Sequence, residues 1–281
     1  MKIIASVNQK GGVGKTSLTL NLGFELARLG YKILLIDLDP QASLSKNLIG
    51  EDEPPNRKGV EECFLSDKTN PDECIVKHRQ DNLFILPCHN ELASVSAKIL
   101  LDSSSFFAFK EIIEKISGFD FILCDSPPSL GILTLNCFIA AEHLVIPIAP
   151  AVYSLLAVND LLLSIEKTRK NLNRNLAILG VAVMMIDRRA SLYCQIEDQV
   201  RGFFGTKVFD SVISRTVKSE EAVTEGIGVG TLAPDSKIAG EYRNLTQELL
   251  TRLGIATPVH IDSLSSIPLP YPNVDTSFLE V

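Results

Sequence analysis

Apolar residues cluster in short runs along the chain: KIIASV (2–7), ILLID (33–37), LFILP (83–87), FILCD (121–125), LVIPI (144–148) and LAILGVAVMMI (176–186). Most are apolar on both alternations, so a strand made from one asks for cover on both faces, as in a parallel sheet. Between the runs, helical spacing predicts helices over Lys15–Leu29 and near 104–116, 155–170, 191–202 and 236–253, and Gly30 stands where a helix C′ residue belongs. Strand and helix in alternation predict an α/β fold: a doubly wound, mostly parallel sheet flanked by helices. EDEPPNRKG (51–59) is charged and proline-bearing and reads as a surface loop. From Ile255 onward there are four prolines, several serines and no lysine or arginine. The expected organisation is one domain over 1–254 and an acidic Pro/Ser-rich tail over 255–281, lying on the surface or disordered.

Composition narrows the picture. The chain has 281 residues, 46% hydrophobic, enough for one large core. No apolar run approaches the roughly 18 residues of a membrane span, and the N-terminus lacks a basic, apolar and small-residue leader pattern, which predicts a cytoplasmic protein. Six cysteines show no C-x-x-C pair and read as packed free thiols. Net charge is −7 but unevenly spread. Residues 1–159 carry 14 basic against 19 acidic side chains, and residues 160–254 carry 13 against 12. A polyanion contact would therefore use a local patch in the second half.

The chemistry concentrates in NQKGGVGKT (8–16), which lies between the first apolar run and the first helix. A phosphate loop reads G-x-x-x-x-G-K-[ST]; Gly14, Lys15 and Thr16 complete that pattern, whereas Gln9 occupies the first glycine's place and a second lysine, Lys10, stands upstream. Gly11, Gly12, Val13 and Gly14 lead into a helix N-terminus, where unpaired N–H groups and the helix dipole favour phosphate. Lys15 can reach the β- and γ-phosphates, with Thr16 placed for Mg²⁺ and Ser17 beside it. Carboxylates that could serve the metal end two apolar runs: Asp37 and Asp39 after the second, Asp125 after FILCD.

KGGVGKT (10–16), LLIDLDPQ (34–41) and DSPPSLG (125–131) together resemble the deviant Walker A ATPases, and most of all the ParA/Soj chromosome- and plasmid-partitioning branch, with MinD the nearest relative outside it. The likeness runs from Met1 to about Gly254. It implies a slow, Mg²⁺-dependent ATPase using ATP/ADP, in which two copies sandwich their nucleotides. In such a dimer Lys10 is the signature lysine that reaches the partner's phosphates and offsets repulsion between facing polyphosphates. By the same resemblance, Lys15 binds phosphate, Thr16 binds Mg²⁺, Asp37 stands behind the metal, Asp39 orients the attacking water and Asp125 is the Walker B carboxylate.

The family also implies non-specific binding to double-stranded DNA by the ATP dimer, a ParB-type centromere-binding partner that stimulates hydrolysis, and nucleoid association. Arg189 and Lys218 fall where relatives have basic residues needed for DNA; Arg188, Lys237 and Arg243 are further candidates, as phosphate contacts need charge and not sequence. Met185 and Arg215 are candidates for the base pocket. There are departures: Ser214 and Val223 stand where relatives have prolines, and Glu220 and Glu221 flank the basic stretch. Two alternatives from the same superfamily fit less well. MinD-like membrane recruitment needs a basic amphipathic C-terminal helix, which NVDTSFLEV is not. An iron–sulfur scaffold needs interface cysteines, whereas Cys124 sits inside an apolar strand. The remaining alternative is a nucleotide-switched positioning factor that binds no DNA.

Overall fold

The computed structural model describes residues 1–49, 57–101, 103–149, 154–187 and 191–256. The expected tail, apart from Ile255 and Ala256, and most of the 51–59 loop lie outside them. Among the described residues eight strands form one sheet: β1 (Lys2–Ser6), β2 (Ile33–Asp37), β3 (Val76–Lys77), β4 (Leu83–Leu86), β5 (Phe121–Asp125), β6 (His143–Ile148), β7 (Ala177–Ile186) and β8 (Val208–Ser214). Their order is β3-β4-β2-β5-β1-β6-β7-β8, and every pairing is parallel except β3 with β4. The helices are α1 (Lys15–Arg28), α2 (Ser43–Ile49), α3 (Val60–Leu65), α4 (Leu92–Leu100), α5 (Ala108–Glu114), α6 (Ile132–Ala140), α7 (Ser154–Asn171), α8 (Ser191–Phe204), α9 (Val217–Thr224), α10 (Val229–Leu232) and α11 (Lys237–Arg252).

The doubly apolar runs have the expected physical cause. β2 and β5 are buried at all five positions, and alternate residues feed two separate cores. Leu34, Ile36, Ile122 and Cys124 join the core beneath α5, α6 and α7. Ile33, Leu35, Phe121 and Leu123 join the opposite one beneath α1 and α11. Each fully buried side chain of this kind contributes about 1.5–3 kcal/mol. Gly30 ends α1 as expected, in the left-handed region at φ 92°, with its N–H donated to the Ala27 carbonyl.

Periodicity missed the edges. β8 places its apolar residues in adjacent pairs, Val208-Phe209 and Val212-Ile213, split by Asp210-Ser211, so neither alternation nor a continuous run marks it. α6 went unseen for the opposite reason: it is buried on nearly every side and shows little polar face to set a period. The β1–β5 and β2–β5 registers align Ser6, Asp37 and Asp125 across three adjacent strand ends. Ligand sites of such sheets open at these carboxyl ends.

Candidate functional site

The loop from β1 to α1 crosses these strand ends. Asn8 anchors it, donating its side-chain amide to the Pro147 carbonyl (2.8 Å) and accepting the Lys10 N–H (2.9 Å). Gly14 precedes the first turn of α1 at φ 92°, and a Cβ there would meet the Cε atoms of Met184 and Met185 at 3.2 and 3.3 Å. Only glycine satisfies both the backbone and the space. Lys15 is buried; its Nζ lies 3.4 Å from the Lys10 carbonyl. Burial lowers its pKa, while Asp125 and then Asp39 oppose that fall, so the ammonium faces two carboxylates in a poorly hydrated place.

Thr16 Oγ1 donates to Asp125 Oδ2 at 2.6 Å. Asp125 is wholly inaccessible, and its other oxygen, Oδ1, has no hydrogen-bond partner among the described residues. Burial, and then the charge of Asp37, push its carboxyl well above the usual range. Asp37 is equally buried and is lifted to about 6 by burial, although it accepts from Ser45 N–H (2.8 Å), Ser45 Oγ (2.7 Å) and the Asp39 N–H (3.0 Å). Two buried carboxylates side by side, one with an unused oxygen, ask for a cation.

Asp39, half-buried, opens the turn after β2, accepting the Gln41 N–H on its own Oδ1 at 3.0 Å. The Cys88 thiol donates to its carbonyl at 3.1 Å. Across a cavity of about 250 Å³ from Asp39 lie Pro127, Pro128 and Ser129. Ser6, Ser45 and Cys88 were invisible to motif reading. Ser126 Oγ donates to the Ser6 carbonyl (2.8 Å), and the Cys88 N–H donates to Ser45 Oγ (3.0 Å), so these residues fix the strand ends that carry the aspartates. The only sequence signal for Ser45 was its place in the first turn of the helix after DPQ.

Beside the phosphate loop a second cavity, of about 360 Å³, is lined by Gly12, Ser17, Met185, Arg215, Thr216 and Tyr242, among others. The two base-pocket candidates, Met185 and Arg215, thus share one cavity with the loop. Of the polyanion candidates, Arg188 and Arg189 lie outside the described residues. Lys218 is exposed on α9. Lys237, 69% exposed, pairs with Glu241 at 3.3 Å, and Arg243 donates to the Pro234 carbonyl at 3.0 Å. The described site therefore unites Lys10, Lys15, Thr16, Asp37, Asp39 and Asp125, and none of Lys218, Lys237 and Arg243 lines either of its two cavities.

Residues 1–178 match the protein family described as "AAA domain". The chain is 39% identical over 250 residues to the chromosome-partitioning ATPase Soj of Thermus thermophilus, covering 89% of this chain and 96% of that protein. This chain belongs to the Soj/ParA family of chromosome-partitioning ATPases. It is also 35% identical to the sporulation initiation inhibitor protein Soj of Bacillus subtilis, covering 88% and 98% of the two chains. Among solved structures it is similar to cobyrinic acid a,c-diamide synthase from Mycobacterium smegmatis with bound ATP analogue and magnesium (TM-score 0.78, 28% identity, 90% of this chain and 96% of that one). The P-loop fold expected for the Soj/ParA family is the fold observed. Among the described residues no helix is long and apolar enough to cross a membrane.

Proposed function

We propose that this protein is a Mg²⁺-dependent ATPase of chromosome or plasmid partitioning, switched by nucleotide between a monomer and a DNA-binding dimer. The observation that carries the reading is the Thr16–Asp125 pair at the mouth of a glycine loop whose buried lysine faces that carboxylate. Gly11–Gly14 and the start of α1 would cradle the phosphates. Lys15 would lie against the terminal phosphate oxygens. Thr16 and Asp125, with its unused Oδ1, would hold Mg²⁺, and Asp37 would stand behind them. No three carboxylate, thiol or imidazole groups converge among the described residues, so such an ion would complete its shell from phosphate and water. An ion held by these residues would supply charge stabilisation to the phosphoryl group in transfer and the departing diphosphate.

The remaining steps belong to side chains of this chain. Asp39, on a turn held by Gln41 and Cys88, would orient the attacking water. Lys10 is half-buried in the loop, and contributed to a facing copy it would offset the charge of the partner's nucleotide. Arg189, Lys218, Arg188, Lys237 and Arg243 would contact DNA phosphates, and a ParB-type partner would stimulate hydrolysis and release. Lys237 is already paired with Glu241, which lessens the charge it offers to DNA, and the positioning factor that binds no DNA is the second reading.

One experiment separates them. Asp39→Ala, loaded with ATP and Mg²⁺, should sediment as a dimer and retard duplex DNA, whereas the ADP-loaded protein should do neither. A dimer that leaves DNA free would favour the positioning factor. Sedimentation only as single chains would remove the sandwich itself.

A further inference from the structure

Among the described residues β8 is the last strand of the sheet, and one row of its backbone groups faces no neighbouring strand there. α11 covers that row with two carboxylates. Glu248 accepts the N–H groups of Asp210 and Ser211, each at 2.7 Å, together with the Ser211 hydroxyl. Glu241 accepts the Ser214 N–H at 2.7 Å on one oxygen and the Ser214 hydroxyl at 2.6 Å on the other. The spacing makes this possible. Seven residues of helix advance about 10.5 Å, and the three residues from Ser211 to Ser214 advance about 10 Å along a strand. Two glutamates two turns apart therefore meet two points on the same edge.

The two clamps are alike in chemistry and differ in place. Glu248 holds Asp210 and Ser211, which line the open groove between β8 and α11. Glu241 holds Ser214, which with Arg215 and Thr216 walls the cavity beside the phosphate loop. On the inner side the Arg215 N–H donates to the Ile186 carbonyl at 3.0 Å, next to Met185. The wall is thus pinned between β7 on one side and the Glu241 carboxylate on the other. Lys237 Nζ, 3.3 Å from both Ser214 Oγ and Glu241 Oε1, steadies the carboxylate. Glu241 itself does not line the cavity.

We propose that Glu241 is a positioning residue for recognition of the nucleotide base: it sets the Ser214–Thr216 wall against which the base packs. The inference rests on the reading that this cavity receives the base. It separates the base from the phosphates, since Glu241 acts on a wall that a bare polyphosphate never reaches. Glu248 is the internal control, because losing it removes an equivalent set of hydrogen bonds where no base would lie.

The test measures the affinity of the full chain for Mg·ATP and for Mg·tripolyphosphate by calorimetry. Wild type should bind ATP more tightly. Glu241→Ala should weaken ATP about tenfold, the effect of one or two lost charge-assisted hydrogen bonds, and leave tripolyphosphate within about twofold. Glu241→Gln keeps one acceptor oxygen and should fall between. Ser214→Ala retains the N–H contact and should lose only about two- to threefold on ATP. Glu248→Ala should lower the unfolding temperature yet keep the wild-type ratio of the two affinities. If Glu241→Ala is too unstable to purify, Glu241→Gln and Ser214→Ala still decide the matter. An unchanged ratio in the Glu241 and Ser214 variants, against a wild type that discriminates, overturns this inference alone. A wild type that binds tripolyphosphate as tightly as ATP overturns the base-cavity reading and this inference with it.

Discussion

The two ends of the nucleotide site are built differently. At the phosphate end, one continuous stretch, Lys2 to Arg28, supplies strand, glycine loop and helix; Asp125 ends β5, paired in register with β1, and Asp37 ends β2, paired in register with β5. At the base end, the cavity joins Gly12 and Ser17 to Met185, Arg215 and Tyr242, residues up to 230 positions away. The first end rests on backbone geometry and buried charge, with Asn8 and Ser45 as side-chain anchors, and the second on a wall that Glu241 clamps from outside through Ser214. Changes at the phosphate end should therefore affect every polyphosphate equally, whereas changes at the base end should be read only by ligands that carry a base.

The largest effect belongs to Lys15→Ala. It removes the buried cation that faces Asp125 and Asp39, and ATP and tripolyphosphate should both lose at least about 100-fold in affinity, as expected for a charge-assisted contact in a dry site. A loss confined to ATP would break the comparison. Gly14→Ala should come next and blur the two ends, because the added methyl strains a φ of 92° and pushes on Met184 and Met185. The strain costs about 1–3 kcal/mol, so affinity for either ligand should fall roughly 10- to 100-fold in the same calorimetric measurement.

Asp125→Asn tests the charge account through stability. Asp37, lifted to about 6, contributes stability that is present below its unfolded value near 3.8 and lost as pH rises through about 6; Asp125 moves in the same direction. Asparagine can still accept from Thr16 and leaves no charge at the unpartnered position. The nucleotide-free variant should thus melt a few degrees above wild type at pH 8, with the gap closing toward pH 4, while ATP turnover is lost. A variant that melts lower at pH 8 would show that the carboxylate pair is not strained. The smallest of these four effects is Met185→Ala, which trims one wall of the cavity: ATP affinity should drop about three- to tenfold and tripolyphosphate affinity should hold.

These differences explain what could be read in advance. KGGVGKT with Lys15 and Thr16 needed no tertiary information, because a phosphate loop is a local object: the glycines, the helix start and the lysine are neighbours in the chain. The runs of β2 and β5 were legible because burial on both faces removes polar residues from both alternations. Asp37 and Asp125 could be named because each ends such a run, although only the register places them side by side. Ser45, Cys88 and Glu241 could not be named. Each acts through two or three hydrogen bonds to partners outside its own element, and a lone serine, thiol or glutamate carries no pattern.

The amino-acid order by itself determined the strand–loop–helix that meets phosphate and the two-sided hydrophobicity that makes a covered parallel sheet, since both depend on neighbours along the chain. The tertiary structure alone decided that the Asp125 Oδ1 has no partner among the described residues, that Met185 and Arg215 face one cavity, and that α11 lies along β8 with two carboxylates in step. Those facts depend on which surfaces meet after folding, and burial, register and helix placement are properties of the packed chain as a whole.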